Sequence, residues 1–173
     1  MKHPISLSSV LLLRCLLLLF LAPLIQCGDL ISKTCKKTPD YNLCVSSLQS
    51  NPKSLDADVQ GLADIMAKIT LSNATDTLSY IRKLVNQTED PKLEQSLAYC
   101  AEVYIPVVQY ILTQAINALN MGGYGFAKYG MLDAADEVDS CTGSKKSPLA
   151  GRKQLVLDLC GVTVAIINIL LKK

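Results

Sequence analysis

The 173-residue sequence carries 17 Lys and Arg against 15 Asp and Glu, is half hydrophobic, and holds seven cysteines, one histidine and no tryptophan. A formal charge of +2 is too small for a protein that gains affinity by displacing phosphate counterions, so nucleic acid is excluded as a partner. The lone histidine, His3, stands in the first few residues, where it serves no folded site.

The N-terminus reads first as a targeting segment. Lys2, His3 and Arg14 lie around the apolar stretch Leu11 to Leu21, which is followed by Pro23 and the small residue Cys27. This layout predicts a signal peptide over 1–27, cleaved near Cys27/Gly28, and hence a secreted protein. Arg14 leaves only Cys15 to Ala22 as a clean apolar run, short of the roughly 20 residues a spanning helix needs, so no stable membrane span is expected after cleavage. Loss of 1–27 removes Lys2, His3 and Arg14, leaving 15 basic residues against 15 acidic ones. Without histidine, Ser-His and Cys-His nucleophiles and His-ligated metals are excluded. No pattern pairs the carboxylates for acid–base work. The chain is therefore expected to have no catalytic residues, no metal and no cofactor, and residues 28–173, about 146 of them, suffice for one domain with one core.

Five cysteines remain, Cys35, Cys44, Cys100, Cys141 and Cys160, and an oxidising compartment favours pairing them with one left over. That allows 15 arrangements, which context narrows. Cys35 and Cys44 flank the Thr38-Pro39 break and meet if two short helical segments fold back on each other. Cys160 sits in "LVLDLCGVTVAIINILL", where a buried, inert thiol is ordinary. Cys100 is then left to pair with Cys141. The absence of CxxC spacing argues against zinc.

Beyond Pro52 the pattern is helical throughout. A helix is expected from Asp56 to Asn86, with Leu62, Met66, Thr77, Tyr80, Ile81 and Leu84 on one face. A second starts with Asp90 as N-cap and Pro91 as first helical residue, and runs to about Asn120 with a kink at Pro106. "MGGYG" ends it. A third covers about Phe126 to Ser140. The last starts at Ser147-Pro148 and runs to Leu171, apolar nearly all round, as in a helix buried at the centre of a bundle. The competing reading of that helix, a removable lipid-anchor signal beginning at Thr142 to Ser144, is opposed by Asp158, Asn168 and Lys172-Lys173. The expected fold is all-α, an antiparallel four-helix bundle with an N-terminal disulfide-stapled α-hairpin.

Two sequons, Asn73-Ala-Thr and Asn86-Gln-Thr, are candidate glycosylation sites. Asn73 lies seven residues from Met66, about 20° of rotation, and so near the core face, whereas Asn86 points away at a helix end. Asn86 is the better acceptor of the two.

The stretch "TCKKTPDYNLCVSSLQSNPKSLDADVQGLA", with later cysteines at 100 and 141 and "SPL" opening the last helix, resembles the plant invertase/pectin methylesterase inhibitor family, in particular its inhibitors of fructosidase. The resemblance implies that Cys35–Cys44 closes an α-hairpin packed outside the bundle and that Cys100–Cys141 ties the bundle. It also implies a protein that is not an enzyme. Such a protein binds a carbohydrate-active enzyme of the cell wall (apoplast) or vacuole in a 1:1 complex and blocks its cleft. Invertase inhibitors of the family carry Pro-Lys-Phe in the loop before the third bundle helix; here the equivalent positions are Tyr124, Gly125 and Phe126, so only the Phe is kept, with Lys128 two residues on. Tyr124, Gly125, Phe126 and Lys128 are thus the candidate partner-binding residues, with plain packing of Tyr124, Phe126 and Tyr129 as the structural counter-reading. An acid invertase is the favoured target and a pectin methylesterase the alternative. A lipid-binding helical protein is a remote third reading.

Overall fold

The computed structural model describes Arg14 and residues 30–141 and 148–172. The signal peptide expected at 1–27, the Thr142 to Ser144 segment and Ser147 lie outside the described residues, apart from Arg14 itself. Regular structure among the described residues is helical. The described part of α1 covers 30–35, followed by α2 (Tyr41–Gln49), a 3-10 turn (Pro52–Leu55), α3 (Val59–Val85) and α4 (Pro91–Pro106). A π-type turn (Val107–Ile111) leads into α5 (Leu112–Asn120), then come α6 (Tyr124–Ser140) and α7 (Ala150–Leu171).

Short acidic or amide side chains start four of these elements, α2, the 3-10 turn, α3 and α4. Asp40, Asp58 and Asp90 accept from the backbone N–H of Leu43, Gly61 and Lys92 at 2.8, 2.8 and 2.9 Å, and Asn51 does the same for Lys53 at 3.0 Å. Each satisfies one donor that a helix start leaves without a partner.

The expected break at Pro106 takes a particular form. Proline supplies no N–H to the preceding turn, and the chain absorbs the missing bond in a π-type turn rather than ending the helix. Thr113 Oγ1 donates to the Val108 carbonyl five residues back at 3.1 Å, which satisfies an acceptor in the widened turn. At the far end of α5, Gly122 adopts φ +78°, where a side chain would be strained. Its N–H donates to Leu119 O at 3.1 Å and that of Gly123 to Ala118 O at 2.8 Å. This pair of bonds is a Schellman closure.

The bundle closes in a ring, with α3 against α7, α7 against α6, α6 against α5, and α4 and α5 back against α3. Short turns after α3 and α5 make α4 antiparallel to α3 and α6 antiparallel to α5, while α4 and α5 run on in one direction through the π-type turn. One core runs through it, including Leu62, Met66, Tyr104, Leu112, Met131, Leu159 and Ile166, all fully buried. The stapled hairpin packs on the outside of this ring, α2 against α3 and α7, and its inward residues Ile31, Cys35, Cys44 and Leu48 are buried there and extend the core. On α3, Leu62, Met66, Thr77 and Ile81 are buried as expected, while Tyr80 and Leu84 are half-buried at its edge. Tyr80 carries the Arg152 guanidinium 4.4 Å above its ring.

By length and composition α7 could cross a membrane, yet it packs on α3 and α6 and buries eight residues, from Val156 to Leu170. It starts at Ala150, two residues after the expected Pro148, because Pro148 and Leu149 form a turn. Inside it, Thr163 Oγ1 lies 3.2 Å from Thr70 Oγ1 on α3, both residues fully buried. Thr70 also reaches Met66 O at 3.0 Å and Thr163 reaches Leu159 O at 2.7 Å. Each hydroxyl has a single proton, so at any moment one donates across the helix pair while the other keeps its own carbonyl.

The disulfides are Cys35–Cys44 and Cys100–Cys141, with Cα separations of 5.5 and 4.8 Å, and Cys160 is a free, buried thiol. Burial pushes the Cys160 thiol up to about 12 and, with Cys160 alongside, holds the Tyr104 phenol above its ordinary range. Because the folded pKa exceeds the unfolded value of about 8.5, the neutral thiol contributes stability below that pH and loses it as pH rises toward 12. Native protein at pH 8 is expected to resist iodoacetamide and to take up one label per chain on denaturation. Rapid labelling of the native form by mass spectrometry would show that the core opens around α7.

Candidate functional site

The turn between α5 and α6 gathers the candidate partner-binding residues. With Gly122 and Gly123 reversing the chain so tightly, α6 begins at Tyr124, two residues before the start expected from sequence. Tyr124, Gly125 and Phe126 therefore occupy the first helical turn rather than a loop, and the Gly123 carbonyl accepts from Ala127 N at 3.0 Å.

This helical placement sends the side chains to different fates. Tyr124 is half-buried, and its hydroxyl donates to Gln60 Oε1 at 2.8 Å; Gln60 Nε2 in turn donates to Leu119 O at 3.2 Å. The chain of bonds fastens the turn to the start of α3. Phe126 is 81% exposed and Tyr129, one turn on, 71%. Neither ring is packed as a core residue would be. Met121, in the turn itself, is 81% exposed and completes an apolar tip. Gly125 is exposed with open space where a Cβ would stand, so its lack of a side chain is not a steric requirement. Lys128 is half-buried and forms no ion pair among the described residues.

Beside the tip, a groove of about 300 Å³ runs between α5 and α6. Phe126, Tyr129 and Asp133 border it on α6, Gln114, Ala115 and Ala118 on α5, and Ile111 at the end of the π-type turn. Its floor exists because α6 crosses α5 at Gly130: a Cβ there would lie 2.8 Å from Ala115 Cβ. Any larger residue at 130 would force the two helices apart. A glycine inside an otherwise helical pattern is a signal that could have located this crossing.

Elsewhere, the Asn73 side chain is half-buried and its Nδ2 donates to Ile69 O at 2.9 Å, whereas Asn86 is exposed at the C-cap of α3. Among the described residues no group of His, Cys, Asp and Glu could hold a metal ion.

A family model described as plant invertase/pectin methylesterase inhibitor matches residues 29–166. The chain is 36% identical over 141 residues to Cell wall / vacuolar inhibitor of fructosidase 1 of Arabidopsis thaliana, covering 80% of this chain and 68% of that one. It is 32% identical over 175 residues to a pectinesterase inhibitor of Actinidia deliciosa, covering 94% of each. Among solved structures, a mutant form of a pectin methylesterase inhibitor from Arabidopsis superimposes with a TM-score of 0.69 at 24% identity, over 80% of this chain and 95% of that one, and shows the same fold. Bundle, hairpin and both disulfide positions thus sit in a chain matched almost end to end, and the protein belongs to the plant invertase/pectin methylesterase inhibitor family.

Proposed function

We propose that this chain is a secreted inhibitor of a plant acid invertase, forming a 1:1 complex in which the α5–α6 tip enters the cleft of the enzyme. Membership of the family makes it an inhibitor of an enzyme and not itself an enzyme. The observation that carries the docking mode is Phe126, an aromatic ring 81% exposed on the first turn of a rigid helix. Exposed aromatics on rigid elements are the usual anchors of an interface, since they bring large contact area with little side-chain entropy to lose. The fructosidase-inhibitor relative supports invertase as the target. Pectin methylesterase is the second reading, supported by the Actinidia relative, which is matched over nearly its whole length. For that target helix faces, rather than the tip, would supply the contact.

Titration of the secreted, oxidised protein at acidic pH against one purified acid invertase and one pectin methylesterase decides between them. Stoichiometric loss of invertase activity alone supports the first reading; loss of esterase activity alone replaces it with the second. Processing after residue 27 and a glycan on Asn86 but not Asn73 belong to the same proposal. Intact mass of the secreted protein tests both, since Asn86→Gln should remove the glycan entirely.

A further inference from the structure

A second concave surface lies where the α1–α2 turn meets the C-terminal half of α7. Pro39 seats this turn on the helix, its Cγ 3.7 Å from where a Cβ on Gly161 would stand. Next to that contact a cleft of about 500 Å³ is lined by Lys37, Ala165, Asn168, Ile169 and Lys172. Its size falls within the range of small-ligand sites. Lys37 and Lys172 are exposed and have no ion-pair partner among the described residues. The nearest carboxylate along the turn, Asp40, is engaged as the cap of α2.

We propose that this cleft binds a short run of uronic acid residues, the carboxylate-bearing sugars of an acidic polysaccharide. Ala165 and Ile169 offer an aliphatic floor for the C–H face of a pyranose ring. The Asn168 amide offers both a donor and an acceptor to ring hydroxyls, and two lysines bracket the cleft with point charges for carboxylates. An anionic membrane is the less suited partner, because surface attachment needs a protruding apolar face and this site is recessed. Lys172 is also the C-cap of α7 and offsets the negative end of that helix, so Lys37 carries the larger share of the attraction. The physiological setting rests on the reading of the chain as a wall protein; the binding itself does not.

The secreted, oxidised protein is titrated by NMR, without any target enzyme, with de-esterified oligogalacturonate, with the same oligomer fully methyl-esterified, and with vesicles containing anionic phospholipid. Saturable shifts of the Lys37, Ala165, Asn168 and Lys172 amides are expected with the de-esterified oligomer only. Lys37→Glu should weaken binding about tenfold, Lys172→Glu less, and Lys37→Arg little, with thermal unfolding confirming that each variant is folded. Equal binding of the esterified oligomer, indifference to both charge reversals, or binding of vesicles but not oligomer would each overturn the proposal. Because no enzyme is present, failure here is separate from failure of the inhibitor reading.

Discussion

Phe126→Ala is expected to raise the inhibition constant against the target invertase by about 30-fold or more, the loss typical of removing a central aromatic anchor. The same substitution should leave stability nearly unchanged, within about 0.5 kcal/mol, because the ring is exposed and little of the core touches it. Lys53→Ala, in the 3-10 turn before α3, serves as the comparison and should change inhibition less than about twofold. Equal effects of the two substitutions, or none from Phe126, would remove the tip from the interface. The rigid support of the ring strengthens the expectation: Gly122 and Gly123 close the turn through backbone bonds, and Tyr124 fastens it to Gln60. Little ordering is then left to do on binding.

Loss of the Cys100–Cys141 bridge, as Cys100→Ala with Cys141→Ala, should lower stability by about 4 kcal/mol and the melting temperature by roughly 10 to 15 °C. The bridge closes a loop spanning 41 residues of sequence, whereas Cys35–Cys44 spans only 9 and should contribute about 3 kcal/mol. It joins the middle of α4 to the end of α6, two elements whose long separation in the unfolded chain makes the constraint large. Lys153 backs it up from α7, with its ammonium 2.6 Å from Asp139 O, 3.2 Å from Cys141 O and 2.8 Å from the Asp139 carboxylate. Calorimetry of the two double variants tests the ranking. A hairpin-bridge variant that melts lower than the bundle-bridge variant would contradict the chain-entropy account.

Helix periodicity, breakers and cysteine spacing made the bundle legible because each reports a local or covalent constraint. Asp90-Pro91 marked the start of α4 correctly, and the apolar circumference of the last helix foretold its burial. Two features resisted reading for different reasons. The start of α6 was misplaced because "MGGYG" does not reveal which glycine takes the left-handed conformation; with Gly122 in that role the turn is two residues shorter. The hairpin lies outside the ring as its sequence implies, but only tertiary packing shows that Ile31 and Leu48 are the residues it buries against α3 and α7. At the candidate site, sequence named four residues but could not sort them. Tyr124 has a hydrogen-bond partner 64 positions away, and Phe126 does not. Exposure alone separates the two, and it depends on the helical phase of the first turn. The groove floor at Gly130 emerges only once α5 and α6 are set side by side.

The Thr70–Thr163 contact acquires its importance from the character of α7. A helix with one apolar stripe has a single favourable orientation, but a helix apolar around its whole circumference could spin about its axis, or slip by a turn, and still bury hydrocarbon. Two hydroxyls facing each other in the buried interior oppose that freedom, along with Arg152 over Tyr80 and Lys153 on Asp139, since other rotational settings leave each hydroxyl with only its own backbone carbonyl. The pair acts as a detent that fixes the angular setting of α7 against α3. Because α6 packs along α7, the face that α7 turns toward α6 follows from the same setting.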